Sequence, residues 1–353
     1  MVLPRPYNSL TGASRWNEPC VPVYTTGTSI DTGGQPRESL RTVYGRIDQD
    51  IDRAIELLEK ARETTLAENN KSHINLYVAL GIKSRACLAE GDWDGAFKAA
   101  KRVIDEGGYA VGTKSDLTGG MNSLDKQNVM WGAGIQVADQ AGGYAGFFTH
   151  MDNKEGAYAK SAPKLISKQL YNRISATDIR RDWWDPSDKE SPYVSKKFSF
   201  ANVASFLGDY IYMRVEEMYF TAAEAALRLD DLKSARELMN TVMAERDPGY
   251  SANNRSGTLL GATTTTWTGS FLENILTHRR IELWGEYGRL FDVRRLGQGI
   301  DRRTDDGFSE ECISMMNRRN VNITKADTYD WVLTIPKAEL DANPNINEED
   351  QNP

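Results

Sequence analysis

The chain is predicted to be mainly α-helical, with tetratricopeptide-like helical hairpins forming a scaffold that carries a loop-rich insert and a few short strands. Three observations predict this. Apolar residues recur at helical spacing across 74–104 and again across 214–246. Each stretch is broken once, at Gly91-Asp92 and at Asp230-Asp231. The stretches also resemble each other: Ala86 corresponds to Ala225, Leu88 to Leu227, Asp92 to Asp231, Trp93 to Leu232, Ala96 to Ala235 and Val103 to Val242. Small alanines at matching turns let paired helices approach closely. The usual period of about 34 residues is not sustained, but isolated hairpins cannot bury their apolar faces, so the pairs must stack.

Residues 1–38 are rich in Pro, Gly, Thr and Ser and read as an extended segment. Residues 39–104 hold a first helix, periodic at Val43, Ile47, Ile51, Ile55 and Leu58, and then the first pair. Residues 105–209 form the insert, punctuated by Gly107-Gly108, Gly119-Gly120 and Gly142-Gly143. Within it, Asn128 to Val137 has strand character, and Pro163 to Ile174 contains a short helix. Residues 210–297 hold the second pair and a helical run from Ser270 to Arg295. Ser270 and Glu273 have the spacing of a capping box, and Ile281, Trp284 and Phe291 fall on one stripe, with Leu290 beside it. Arg279 with Glu282, Glu286 with Arg289, and Asp292 with Arg295 are spaced as helical neighbours. So many charges among aromatics predict a partly buried ion network. Residues 298–353 close the chain, and Trp331 to Pro336 alternates like a buried strand.

At 353 residues, the chain exceeds the roughly 250–300 at which single cores stop growing. One large domain and a scaffold with a loop-rich lobe both fit. A formal charge of −7 argues against nucleic acid as a partner. Arginines cluster at Arg279-Arg280, Arg294-Arg295, Arg302-Arg303 and Arg318-Arg319, but interleaved carboxylates make them structural ion pairs. Cys20, Cys87 and Cys312 have the spacing of neither a disulfide framework nor a metal site. Cys87 reads as a small core residue, and Cys20 lacks the small apolar residues that precede a lipidated cysteine. No apolar run approaches the roughly 20 residues of a membrane helix. Met1-Val2-Leu3-Pro4-Arg5-Pro6 is no signal peptide. The protein is therefore either intracellular or read from partway along a longer exported chain.

No catalytic constellation, cofactor motif or metal site emerges. His73, His150 and His278 are not spaced as a helical zinc pair, and no Walker loop or dinucleotide fingerprint occurs. Glu282 and Glu286 could span the roughly 5–5.5 Å of a retaining glycosidase pair. Their flanking arginines would keep both ionised, which removes the general acid. A non-catalytic protein is expected.

The aromatics carry the positive signal. Trp93, Trp284 and Trp331 read as core. Trp16, Tyr144, Phe147, Phe148, Tyr158, Trp183, Trp184 and Trp267 lie in Gly-, Asp-, Ser- or Thr-rich surroundings, without periodic packing. A pyranose face packs its C–H groups on an aromatic plane, while neighbouring polar side chains orient its hydroxyls. Asp139 and Gln140 near Tyr144, Asp152 and Asn153 before Tyr158, and Arg180-Arg181-Asp182 before Trp183 fit that recipe.

The run Arg279-Arg280-Ile281-Glu282-Leu283-Trp284-Gly285-Glu286, followed by Arg289, Asp292 and Arg294, and the terminal Gln351-Asn352-Pro353 resemble the SusD/RagB family of outer-membrane nutrient-binding proteins. Arg214-Val215-Glu216-Glu217-Met218-Tyr219 and Ala222-Ala223-Glu224-Ala225 resemble its central helix pair. Pro36-Arg37-Glu38-Ser39, with Val43-Tyr44, Ile47, Asp50-Ile51 and Ala54, resembles its first helix. The resemblance implies a surface-exposed protein that captures an oligosaccharide or other nutrient. It also implies delivery to a SusC-like TonB-dependent transporter and an outer-membrane lipid anchor in an N-terminal part absent here. It favours Tyr144, Phe147 and Phe148 over Trp183-Trp184 as the glycan platform. Two alternatives stand beside it, an intracellular tetratricopeptide-type peptide-binding adaptor and a helical glycoside hydrolase. A Ca²⁺ site in the Asp- and Asn-rich tail has no ligand spacing to support it.

Overall fold

The computed structural model describes residues 14–29, 31–64, 70–137, 146–255, 269–299 and 333–352. The first helix, α1, spans Leu40–Thr64, and the first hairpin is α2 (Leu76–Glu90) and α3 (Trp93–Glu106). The insert carries α4 (Lys114–Thr118), β1 (Val129–Ala133), α5 (Phe147–Met151), α6 (Ala157–Ser161), α7 (Lys168–Tyr171), β2 (Trp184–Asp185), β3 (Val194–Ser195) and β4 (Tyr210–Arg214). The second hairpin is α8 (Val215–Arg228) and α9 (Leu232–Ala244).

The two hairpins turn by the same device. Gly91, at φ 82°, ends α2 in the left-handed conformation, and Asp92 then caps α3 by accepting from the Gly95 N–H. Asp230, at φ 64°, takes the place of that glycine, and Asp231 caps α9 by accepting from the Ser234 N–H. Aspartate tolerates this region better than most side chains. The alanines at matching positions are sealed between helices: Ala96, Ala225 and Ala235 are each 0% exposed. Helices α1, α2, α3, α8 and α9 pack in succession, around a core that includes Val103, Val242, Met218 and Phe220. Burying one such side chain contributes about 1.5–3 kcal/mol.

The helical run after the second hairpin is not continuous. It forms α10 (Phe271–Glu282) and α11 (Arg289–Arg295), separated by Gly285 at φ 75° and Gly288 at φ 130°. The single stripe of Ile281, Trp284 and Phe291 is thereby split. Trp284 packs with Trp184 and Phe198, whereas Phe291 stacks on Tyr287; Leu290 faces solvent. Ser270 does cap α10, accepting from the Glu273 N–H at 3.0 Å, while Glu273 returns to Gly269 rather than to Ser270.

β1 and β4 pair antiparallel, running from Val129 opposite Arg214 to Ala133 opposite Tyr210, with an irregularity at Trp131. β2 and β3 form a second two-stranded pair. Cys87 is core, as expected, and Cys20 is also buried, among Leu40, Val43 and Tyr44; Cys312 and Trp331 lie outside the described residues. The terminal segments clasp each other. Arg37 donates to the Asp350 carbonyl at 2.7 Å and to Asn352 Oδ1 at 2.8 Å, and Gln351 bonds both backbone groups of Ile335.

Candidate ligand-binding site

The insert has its own core, which corrects the expectation that its rings face solvent. Phe148, Trp183 and Trp184 are 1%, 3% and 1% exposed. The Trp183 Nε1–H donates to the Leu117 carbonyl at 3.0 Å, and the two indoles meet edge-on, with Trp284 beyond them. Arg180 of the preceding triplet is also buried. Arg181 lies over the Tyr171 ring, and Asp182 is exposed. Ordering a long irregular segment costs conformational entropy, so it must bury large side chains even where no period announces them. Trp16 sits elsewhere, edge-on to Tyr44 at 5.6 Å beside the start of α1. Asp139, Gln140, Tyr144 and Trp267 lie outside the described residues.

Phe147, Phe148, Asp152, Asn153 and Tyr158 are brought together by the α5–α6 unit. Asp152, 3% exposed, accepts from the backbone N–H groups of Lys154, Glu155 and Phe200 at 2.9–3.0 Å. Asn153 donates to the Ser195 carbonyl at 2.7 Å and accepts from the Lys164 N–H at 2.8 Å. Neither is positioned to orient a sugar; both are committed to holding the turn. Gly156 closes it so tightly that a Cβ there would lie 2.5–2.7 Å from three backbone carbonyl oxygens. Phe147 is half-buried against Phe148 and Phe198.

This frame holds one exposed plate. The rings of His150 and Tyr158 stack with centroids 4.5 Å apart and planes 5° apart, and Tyr158 is 36% exposed. Lys154 and Lys160 are exposed nearby in sequence. His150 carried no signal in the sequence, because its partner ring stands on a different short helix.

Glu282 and Glu286, the two carboxylates at acid/base spacing, are held in a buried ion network. Glu282 takes Arg180, Arg214 and Arg246 at 2.9–3.1 Å, with both oxygens engaged. Glu286 takes Arg214 and Lys197. Burial alone would raise the Glu282 carboxyl, but the Arg246 and Arg214 guanidiniums override it and hold it well below the carboxylate range. Glu286 is likewise lowered, with burial opposed by Arg214 and Lys197. Asp178 and Glu216 complete a set in which four carboxylates match four cations. Arg279 pairs with Asp292 and Glu217 instead of Glu282, and Asp292 also pairs with Arg295 as the spacing predicted. Among the described residues, no group of three or more metal-binding side chains is assembled.

Residues 151–353 match the SusD family. The chain belongs to this family. Solved structures agree with it over nearly the whole chain. A SusD-like carbohydrate binding protein from Bacteroides vulgatus is 26% identical, with a TM-score of 0.73 over 94% of this chain and 71% of that one. A SusD superfamily protein from Bacteroides thetaiotaomicron is 22% identical, with a TM-score of 0.74 over 100% and 74%. Surface glycan-binding protein A from Bacteroides uniformis is 18% identical, with a TM-score of 0.61 over 96% and 74%. No curated protein matches. The helical, tetratricopeptide-like scaffold of this SusD-family chain is thus the fold its hairpin pattern predicted.

Proposed function

We propose that this SusD-family chain is a non-catalytic binding protein that captures an oligosaccharide at the cell surface and hands it to a SusC-like TonB-dependent transporter. The observation that carries the reading is the Tyr158 ring, stacked on His150 and presented by a turn that the Asp152 and Asn153 side chains hold through hydrogen bonds to the backbone. A fixed aromatic plate offers apolar area to a pyranose without ordering cost on the protein side. The carbohydrate-binding and glycan-binding relatives support the ligand class. The sealed carboxylates Glu282 and Glu286 support binding without turnover, because neither can reach a substrate or hold a transferable proton at neutral pH. Lipid anchoring at the outer membrane belongs to the same proposal; among the described residues, no helix is long and apolar enough to cross a membrane.

Affinity electrophoresis and calorimetry against a panel of polysaccharides and their oligosaccharides test the proposal. Binding of at least one glycan, with no release of reducing sugar, is expected. A folded protein that binds none of the panel contradicts it.

A further inference from the structure

The chain carries −7 overall, yet the part of the insert that bears the Tyr158 plate is basic. Residues 151–170 hold four lysines, Lys154, Lys160, Lys164 and Lys168, against two carboxylates, Asp152 and Glu155. The fold adds a fifth cation. Asn153 donates to the Ser195 carbonyl at 2.7 Å, and the Ser195 N–H donates to the Lys164 carbonyl at 2.8 Å. Lys196 is thereby brought beside the α5–α6 turn, although 42 residues separate Ser195 from Asn153 in the chain.

What this surface turns to solvent is ammonium. Lys154, Lys160, Lys168 and Lys196 are exposed, whereas Asp152 is buried and bonded by three backbone N–H groups. Glu155 and Asp185 are half-buried. They stand 3.8 Å from Lys160 Nζ and 3.9 Å from Lys196 Nζ, beyond hydrogen-bond reach. Asp185 is bonded instead to the Ser187 hydroxyl and N–H, at 2.6 and 2.9 Å. Among the described residues, no carboxylate pairs with Lys154, Lys164 or Lys168; Lys164 donates to the Ala162 carbonyl at 2.6 Å. Asp188 and Glu190 belong to the turn at the far end of the β2–β3 ribbon, with Lys189 between them. Each lysine carries its ammonium on a flexible four-carbon stem with three rotatable donors. Such donors can follow an acid group on a sugar whose ring the aromatic plate holds.

We propose that the plate takes acidic glycans. Tyr158 stacks one sugar ring, and the surrounding ammoniums meet carboxylates or sulfates on that sugar and its neighbours. This specificity rests on the glycan reading above and narrows it. Exposed charges act over roughly 8 Å at physiological salt, so lysines flanking the plate also draw a polyanion toward it against the repulsion of the acidic remainder of the chain.

The test is calorimetry with polygalacturonate, alginate and chondroitin sulfate, with their carboxyl-reduced or desulfated forms, and with neutral amylose and galactan. At least one acidic polymer should bind, and at least about tenfold tighter than its neutralised form. Loss on carboxyl reduction marks a uronate ligand, and loss on desulfation marks a sulfated one. Affinity should fall as NaCl rises from about 50 to about 500 mM. Lys154→Gln combined with Lys160→Gln should weaken binding about fivefold or more, whereas Lys233→Gln on α9 should leave it unchanged. Tyr158→Ala should weaken it too, which separates a stacked sugar from a polyanion held by charge alone. Acid binding that survives the double lysine variant, or that ignores Tyr158→Ala, overturns the proposal. Binding confined to neutral glycans, or equal binding of an acidic polymer and its neutralised form, overturns the acidic specificity and leaves the glycan reading standing. Binding of no glycan overturns both.

Discussion

Arg214 Nη1 lies 3.1 Å from Glu282 Oε1, and neither side chain reaches solvent. Arg214 is the last residue of β4 and Glu282 the last of α10, so one buried pair locks the insert to the C-terminal helices. With Arg180 and Arg246 on the same carboxylate, Glu282 is the hub that holds the loop-rich lobe against the scaffold.

Glu282→Gln should therefore leave three guanidiniums short of a counter-charge. Removing one partner of a buried pair costs about 3–5 kcal/mol. Urea unfolding should show that loss, with Arg85→Gln, which breaks the partly exposed Arg85–Glu217 pair, costing less.

The α5–α6 turn is expected to be intolerant at Gly156. A methyl group there meets the carbonyl oxygens of Thr149, Asp152 and Phe148, so Gly156→Ala should cost about 1–3 kcal/mol by overpacking. Glycan affinity should fall with it, because the Tyr158 plate would move. Thermal unfolding and calorimetry on the same sample check both.

Glu90 is a pH-dependent liability. Burial first, then Asp48 and Asp92, push its carboxyl up to about 8 against the pull of Lys83, and its Oε1 has no hydrogen-bond partner. In the unfolded chain the group ionises near pH 4.3. Between these values the folded state binds more protons, so this contribution to stability is present below the lower value and is lost as pH rises through 8. Glu90→Gln should raise the unfolding midpoint at pH 8.5 and leave it unchanged near pH 4.

Arg37 tests the terminal clasp. Its bonds to Asp350 and Asn352 hold the tail to the segment before α1. Arg37→Ala should raise amide exchange across 345–352 while leaving α8 and α9 protected.

The scaffold was legible because local chemistry and periodicity agreed: the breakers at Gly91-Asp92 and Asp230-Asp231 are both turn and cap. The ion network was legible only as a density of charge. Its partners join Arg180, Arg214 and Arg246 to a glutamate 36–102 residues away, and no helical spacing encodes that. Gly285 and Gly288 did carry the signal for the break between α10 and α11, which the charge spacing across 279–295 obscured. In the insert, Trp183 and Trp184 misled because irregular backbone buries rings without a repeating pattern. Asp152 and Asn153 were found as neighbours of Tyr158, but they shape the turn instead of meeting a ligand.

The most direct measurement is calorimetry of Tyr158→Ala against the best glycan found for the unaltered chain. Removing the ring forfeits roughly 1.4 kcal/mol or more from the apolar area it would bury against a sugar, so affinity should drop by about tenfold or more in a protein that still folds. Undiminished affinity in a correctly folded Tyr158→Ala, and again in His150→Ala, would contradict the account.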